Sequence, residues 1–491
     1  MQEYIIFKGK PIEKTKPKKF KPVSRVDPSL LVAGRYGTDE MVEIWGAGWD
    51  KTMEHILYSQ AESVLTLSDL YPEVIPKERA RELAEKSKLV DFQRVREIED
   101  RVKHDVIAIN KAWEEVVSEK ARPYINKCRT SADSTETAKA VQIKKSIEVI
   151  ASSLENLRDI VLEKAVEWMD IPHMDQTHQL DALPTVAGRP FAYFGELIQS
   201  DLDFWAFVYK NSVKGKWADA TGNHHSANDL GIDGIKLQAE YCKRLGIGCM
   251  IAPSQVPGRE FIADVVYAMA RTAETMRNLA SYIAWGKSDD VNIFLDLNPR
   301  RRKGSSAMPH KDIKGGNPIV EEHVESFCNY TRGALMTALS SAQMRYARDL
   351  SGSASDRVIL RTVFMWGDQV IRRLANTVYW LGIDEKRSRE RVERTLGTVT
   401  SSRILNYLTD ERMVREPMAR SEAHDLLGKL ATKAYTEKIP FKKVLLESEE
   451  ITRRLPKELI EKIADPLNYI GQSKEIIEKV FELYHGKKTL V

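Results

Sequence analysis

The stretch from Gly304 to Pro318, GSSAMPHKDIKGGNP, gathers residue types that handle anions. Gly304, Ser305 and Ser306 are small and flexible, Pro309 stiffens the centre, Lys311 and Lys314 add positive charge, and Gly315-Gly316 restores mobility. Arg300 to Arg302 precede it. Glycines, hydroxyls and cations in one loop suit closure over an anionic substrate. Composition alone gives equal weight to a lid and to a solvated basic loop. A phosphate-cradling P-loop is excluded, because the GxxxxGK-Ser/Thr pattern is missing. The histidines stand apart from one another. His178 lies in MDQTHQLDALPT, His104 beside Asp105 in VKHDVIA, and His224-His225 just after Gly222-Asn223. No two of them have zinc spacing with a third ligand, so no metal is expected. A Ser/His hydrolase is unsupported, since no GxSxG elbow occurs.

The elements that must position these groups read as helices. Ile143, Ile147, Ile150, Leu154, Leu157 and Val161 recur at alternating steps of four and three. Ile262, Val266, Met269, Ala273, Met276, Ala280 and Ile283 repeat the pattern. That spacing predicts an apolar seam on each of two long helices, which pack as a bundle within a chain or between chains. Residues 320–346 and 354–381 are similar but less regular. Breaks near 184–190, 213–234, 252–258, 298–318 and 350–353 predict loops at helix ends, where catalytic groups gather. Shorter helices follow, broken at Pro417 and Pro440. The sequence thus predicts an all-α fold with an extended basic arm over 1–25, a helical domain over 26–128, a central long-helix bundle over 129–385 and a helical C-terminal domain over 386–491.

At 491 residues the chain exceeds one compact core. Its net charge of +4 is too small to argue for nucleic acid or a membrane surface. Seven lysines against two glutamates fall in residues 1–22, and the arm reads as a solvated tail. Nucleic-acid binding through it is the weaker alternative. No apolar run approaches the roughly 20 residues of a membrane span, and no signal-peptide order opens the chain. Cys128, Cys242, Cys249 and Cys328 are scattered, as reduced thiols of a cytoplasmic protein are.

GSSAMPHK followed by Asn317-Pro318 resembles the signature of the fumarase/aspartase superfamily. Further blocks fall in that superfamily's order: Thr130-Ser131 with Asp133, Thr177-His178 with Pro184-Thr185, Gly222-Asn223, and Gln255-Val256 with Arg259. RYGTDEMVEIW (35–45), RDLSGSASDRVIL (348–360) and the stretch 419–471 resemble the branch that splits a succinylated purine nucleotide into fumarate and AMP. The resemblance covers almost everything from residue 30 onward. It implies a three-domain lyase whose central helices assemble as a homotetramer with shared active sites, acting on a nucleotide without cofactor or metal. It also implies action on the succinyl-aminoimidazole-carboxamide ribotide of purine biosynthesis. Under that resemblance Ser305 is the base and His178 the acid, oriented by Glu322, while Lys311 stabilises charge. Thr130, Ser131, Ser306, Lys311, Asn317 and Gln255 would hold the succinyl carboxylates, alongside Thr177. Lys103, His104 and Asp105 would line the nucleotide side. Arg35, Tyr36, Ser353 and Arg357 would meet the phosphate, and Arg348 would line the nucleotide site.

Three departures stand out. Five residues, Asp312 to Gly316, separate Lys311 from Asn317 where the superfamily form has one, which bears on the pair's joint geometry. Asn126 replaces a histidine four residues before the Thr-Ser pair, and Leu180-Asp181 replaces a polar pattern after His178. Argininosuccinate lyase, carboxymuconate cycloisomerase and a non-catalytic protein of this fold remain as alternatives. Ser353 and Arg357 discriminate among the enzymes, because only a phosphorylated substrate requires them. If the seams hold the tetramer, Leu154→Asp is expected to dissociate it.

Overall fold

The computed structural model describes residues 3–19, 30–299 and 305–490, and of Ile313 and Lys314 only the backbone. A hairpin of β1 (Tyr4–Phe7) and β2 (Lys10–Glu13) opens the chain, and one π-helical turn spans Leu31–Tyr36. Helices α1 (Asp39–Trp45), α2 (Asp50–Leu70), α3 (Lys77–Lys86), α4 (Phe92–Val102) and α5 (Asp105–Val116) follow. Then comes the long α6 (Ser131–Glu167), a hairpin of β3 (Pro172–Thr177) and β4 (Leu180–Val186), and α7 (Arg189–Asn211). Short parallel strands β5 (Lys214–Gly215) and β6 (Gly248–Cys249) flank α8 (His225–Asn228) and α9 (Gly234–Arg244). The bundle continues with α10 (Glu260–Lys287), β7 (Phe294–Asp296), α11 (Ile319–Ala342), α12 (Ser353–Tyr379) and β8 (Leu381–Ile383), which pairs with β7. Seven C-terminal helices close the chain: α13 (Glu385–Glu393), α14 (Ser401–Leu408), α15 (Arg420–Glu437), α16 (Phe441–Glu447), α17 (Glu449–Thr452), α18 (Lys457–Ile463) and α19 (Ser473–Tyr484).

Helix α6 organises the bundle. A capping box starts it: the Thr130 side chain accepts from the third-residue N–H, and the Asp133 carboxylate accepts from Thr130 N–H at 2.8 Å. Its 37 residues make a rod about 55 Å long at 1.5 Å per residue. It packs against α2, α7 and α12, while α10 packs along α11, α7 and α12. Every seam residue of α6 and α10 is buried within this one chain. The seams are therefore satisfied inside the protomer. An acid at Leu154, which is fully buried, breaks the fold of the single chain rather than selectively opening an assembly. A second buried cluster, formed by residues between Ile404 and Ala464, is separate from the main core, yet α19 returns to that core through Ile477, Val480 and Phe481.

The described part of the lysine-rich arm is not a solvated tail. It pairs as a hairpin and docks on α6, where Thr15 N–H donates to Glu163 at 2.8 Å and Lys14 pairs with Glu167 at 3.0 Å. Glu163 and Glu167, four residues apart on α6, supply what composition could not reveal. Lys8 likewise pairs with Glu482 of α19, so these cations are matched within the chain. No helix among the described residues is long and apolar enough to cross a membrane.

Candidate active site

The largest concentration of site residues lies in a cleft of about 590 Å³ between α2, the α4–α5 corner and the first turns of α6 and α12. Lys103, His104, Asp105, Ser131, Gln255, Arg348, Ser353 and Arg357 all line it. Local structure explains each placement. Lys103 ends α4 in the left-handed region, with φ 55°, and His104 caps α5. Ser131 and Ser353 are the first residues of their helices, so the positive ends of two long helices open on the cleft. Gln255 sits on a loop that meets the 343–352 loop. Its side-chain oxygen accepts from Arg348 at 2.8 Å, and its N–H donates to Ala347 O at 3.3 Å. Gly222 brings the Gly-Asn block onto the same loop: with φ +81°, a Cβ there would stand 1.9 Å from Pro253 O.

Beneath the cleft lies a charged floor. Lys139 pairs with Glu136 at 2.9 Å and stands 3.8 Å from Asp356, which is fully buried and bound by Arg259. Burial alone would raise the Glu136 carboxyl, but Lys139 and Arg259 outweigh it and hold it below its ordinary value. Beside Thr130, Asp133 pairs with buried Lys216 and accepts from Ala218 N–H at 3.0 Å. Asp133 thus serves the cap and the buried pair together. Glu136, Lys139, Trp49, Asp356 and Arg361 were not singled out from the sequence. The four-residue step from Arg357 to Arg361 was the one available signal, since it puts both on one face of a helix.

The signature loop lies elsewhere. Gly315 rests against Asp296, whose strand pairs with β8 directly after α12. The loop is therefore at the far end of α12 from Ser353, roughly 40 Å along a helix of 27 residues. Arg300 to Arg302 and Gly304 lie outside the described residues. Ser305 Oγ accepts from the N–H groups of Ala307 at 3.2 Å and Met308 at 3.1 Å. Ser306 is exposed beside it. The inserted residues coil into a 3₁₀ turn, Pro309–Lys314, ended by Gly315 and Gly316, both at φ +86°. That turn carries the chain back, so Lys311 Nζ donates to Asn317 Oδ1 at 3.0 Å despite the insertion. Glu322 is exposed on the first turn of α11. Its neighbour Glu321 is the buried one, paired with Lys287 at 2.7 Å.

Thr177 and His178 occupy a third place, at the turn of the β3–β4 hairpin, where His178 and Gln179 have φ 54° and 66°. Both are exposed. The hairpin leaves the C-terminal end of α6 and packs on α13, so it stands at the opposite end of that rod from Ser131. Below the turn Asp181 is held by Arg394 at 2.9 Å, while Leu180 faces outward. Asn126 adopts the left-handed region and accepts from Gln60 at 3.4 Å. Arg35 and Tyr36 stand on the side of α12: Gln369 donates to Arg35 O at 2.8 Å and Tyr36 stacks on Trp366. One chain thus brings eight of the expected site residues together and leaves Ser305, His178 and the Arg35-Tyr36 pair apart from them. Among the described residues no cluster of histidine, cysteine and carboxylate groups could hold a metal ion.

The family model described as "Lyase" matches residues 39–333, which include most of the long-helix bundle. A second model, "Adenylosuccinate lyase C-terminus", matches residues 397–480. The adenylosuccinate lyase of Methanocaldococcus jannaschii is 30% identical over 92% of this chain and 96% of its own length. That of Bacillus subtilis is 29% identical over 91% and 98%. The fold is shared with a fumarate lyase from a Mesorhizobium species (TM-score 0.77, 18% identity, 92% of this chain and 99% of that one). It is shared too with a 3-carboxy-cis,cis-muconate lactonizing enzyme from Pseudomonas putida (TM-score 0.78, 17% identity, 91% and 97%). The chain belongs to the adenylosuccinate lyase family.

Proposed function

We propose that the protein cleaves adenylosuccinate to fumarate and AMP, and the related succinyl-carboxamide ribotide by the same chemistry. The observation that carries this reading is the cleft itself, where five segments far apart in sequence bring cations and two helix N-termini around one space. Such a lining suits a phosphorylated, carboxylate-bearing substrate. Ser353 and Arg357 take the phosphate, Arg348 lines the nucleotide site with Lys103, His104 and Asp105, and Thr130, Ser131 and Gln255 hold succinyl carboxylate. Thr177 joins them beside the acid.

The reaction is a β-elimination. Ser305 removes the proton from the succinyl carbon, that electron pair forms the C=C bond of fumarate, and the C–N bond breaks. His178 gives the departing nitrogen its proton, with Glu322 orienting the imidazole. A serine is a base only as an alkoxide, and the two backbone N–H groups on Ser305 Oγ favour that anion. Lys311, fixed by Asn317, supplies positive charge for the dianionic carboxylate that develops, and Ser306 adds a hydroxyl beside it. Base, acid and cleft meet only if different copies of the chain supply them, which is the homotetramer expected above. Tyr193, Phe207, Tyr267, Met336, Leu339 and Val358, exposed apolar residues of the central helices, support that assembly.

The test is direct. Purified protein mixed with adenylosuccinate changes the ultraviolet absorbance as AMP forms, and Ser305→Ala lowers turnover by at least about 10²-fold while leaving binding in place. Turnover of argininosuccinate in place of adenylosuccinate, or wild-type rates in Ser305→Ala, would overturn the reading.

A further inference from the structure

Of the arginines around the cleft, Arg259, Arg348 and Arg361 are each committed to a partner: Asp356, Gln255, and the backbone of the turn before α2. Arg357 is not. Among the described residues it forms no ion pair or hydrogen bond, and its guanidinium lies over the Trp49 ring at 4.6 Å from the centroid. Trp49 lines the same cleft and is half-buried. Its turn is fastened to α12 by Arg361, whose Nη1 donates to Ala47 O at 3.2 Å and Nη2 to Gly48 O at 2.5 Å. One turn of α12 therefore does two things. Arg361 fixes the backbone that presents Trp49, and the Trp49 ring lies beneath the Arg357 guanidinium.

We propose that Trp49 is the positioning residue for Arg357, a platform that holds the guanidinium flat so that its N–H edge stays available to a phosphoryl group at the start of α12. The physics follows from the geometry. A guanidinium stacked on an indole keeps its in-plane donors unspent, since the ring contacts the face and not the edge. Arginine carries considerable side-chain entropy, and the indole removes much of it before the ligand arrives. Glu99 also lines the cleft. With the ring gone, the side chain turns toward that carboxylate and is lost to the ligand. Trp49 touches no reacting atom in this account and acts through Arg357 alone.

This inference rests on reading the cleft as a nucleotide phosphate site, and the experiment separates the two. Wild type, Trp49→Leu, Trp49→Phe, Arg357→Met and the Trp49→Leu/Arg357→Met double variant are titrated with AMP by calorimetry, and KM and kcat are measured with adenylosuccinate. Trp49→Leu is expected to weaken AMP and raise KM by about fivefold, with a smaller change in kcat, and Trp49→Phe to recover most of the loss. In the Arg357→Met background Trp49→Leu is expected to add nothing, since a residue that acts only through Arg357 has no further effect once that group is gone. A merely structural role would instead give additive losses, and additivity overturns the proposal, as does a Trp49→Leu protein with wild-type AMP affinity. Wild-type protein that binds AMP without cleaving adenylosuccinate overturns the functional reading and leaves the AMP cycle as the test of Trp49. Wild-type protein that binds no AMP overturns both.

Discussion

At the scale of single residues, the chemistry depends on groups whose surroundings set their charge. His173 shows this at the root of the hairpin that carries His178. It is buried, its ring nitrogens lie 3.3 Å from Ser388 Oγ and 3.2 Å from the Tyr282 hydroxyl, and burial, with Arg391 nearby, pushes it down to about 4. The unfolded value is near 6.5. Above that value both states are neutral and nothing changes. As pH falls from about 6.5 toward 4 the unfolded chain binds the proton first, so stability is lost across that window, by at most about 3 kcal/mol. Below 4 both states are charged and the loss stops growing. His173→Asn is therefore expected to show a shallower decline of unfolding free energy between pH 6.5 and 4.5 than the wild type, measured by denaturant melts. Equal slopes would remove His173 from the account. This residue's role was not legible beforehand, because a histidine two places after Ile171 in an unremarkable stretch reveals neither its burial nor Tyr282, 109 positions away.

At the scale of elements, what was legible tracks what is local. The seams of α6 and α10 follow from spacing alone, and the Thr130–Asp133 capping box follows from four adjacent residues. The β3–β4 hairpin was not legible, because MDQTHQLDALPT has neither clean alternation nor a glycine turn, and its left-handed pair is the unusual His178-Gln179. The arm was misread for a similar reason: lysine and proline suggest solvent, and only the fold puts Glu163 and Glu167 beneath them. Glu163 is buried, and it accepts from Thr15 and contacts His485 of the C-terminal tail at 3.0 Å. Deleting residues 1–19 strips Glu163 of its Thr15 hydroxyl and amide donors and takes the buried Ile5 side chain out of the core, so the melting temperature is expected to fall by about 5 °C or more. Scanning calorimetry decides it, and an unchanged transition would return the arm to a solvated tail.

At the scale of the whole molecule, helix length separates the chemistry. Ser131 and Ser353 start α6 and α12, whereas His178 and Ser305 lie beyond the far ends of those rods, tens of ångströms from the cleft. The motif order along the chain could not reveal this, because order in sequence says nothing about which end of a helix a loop occupies. The proposed assembly would resolve the separation, since an antiparallel neighbour in a closed oligomer places the far end of one rod beside the near end of another. The consequence is quantitative. If His178 and Ser305 of one site come from different chains, His178→Ala and Ser305→Ala are each inactive alone, yet mixing them restores activity. After equal mixing and subunit exchange, about a quarter of the sites regain both wild-type groups, so activity should approach about 25% of wild type. If one chain supplied both groups, every site in the mixture would lack one of them and activity would stay at the level of the separate variants. Assays of the mixture after mild denaturation and refolding distinguish these outcomes, and a flat result would require a route by which one protomer closes the length of α6.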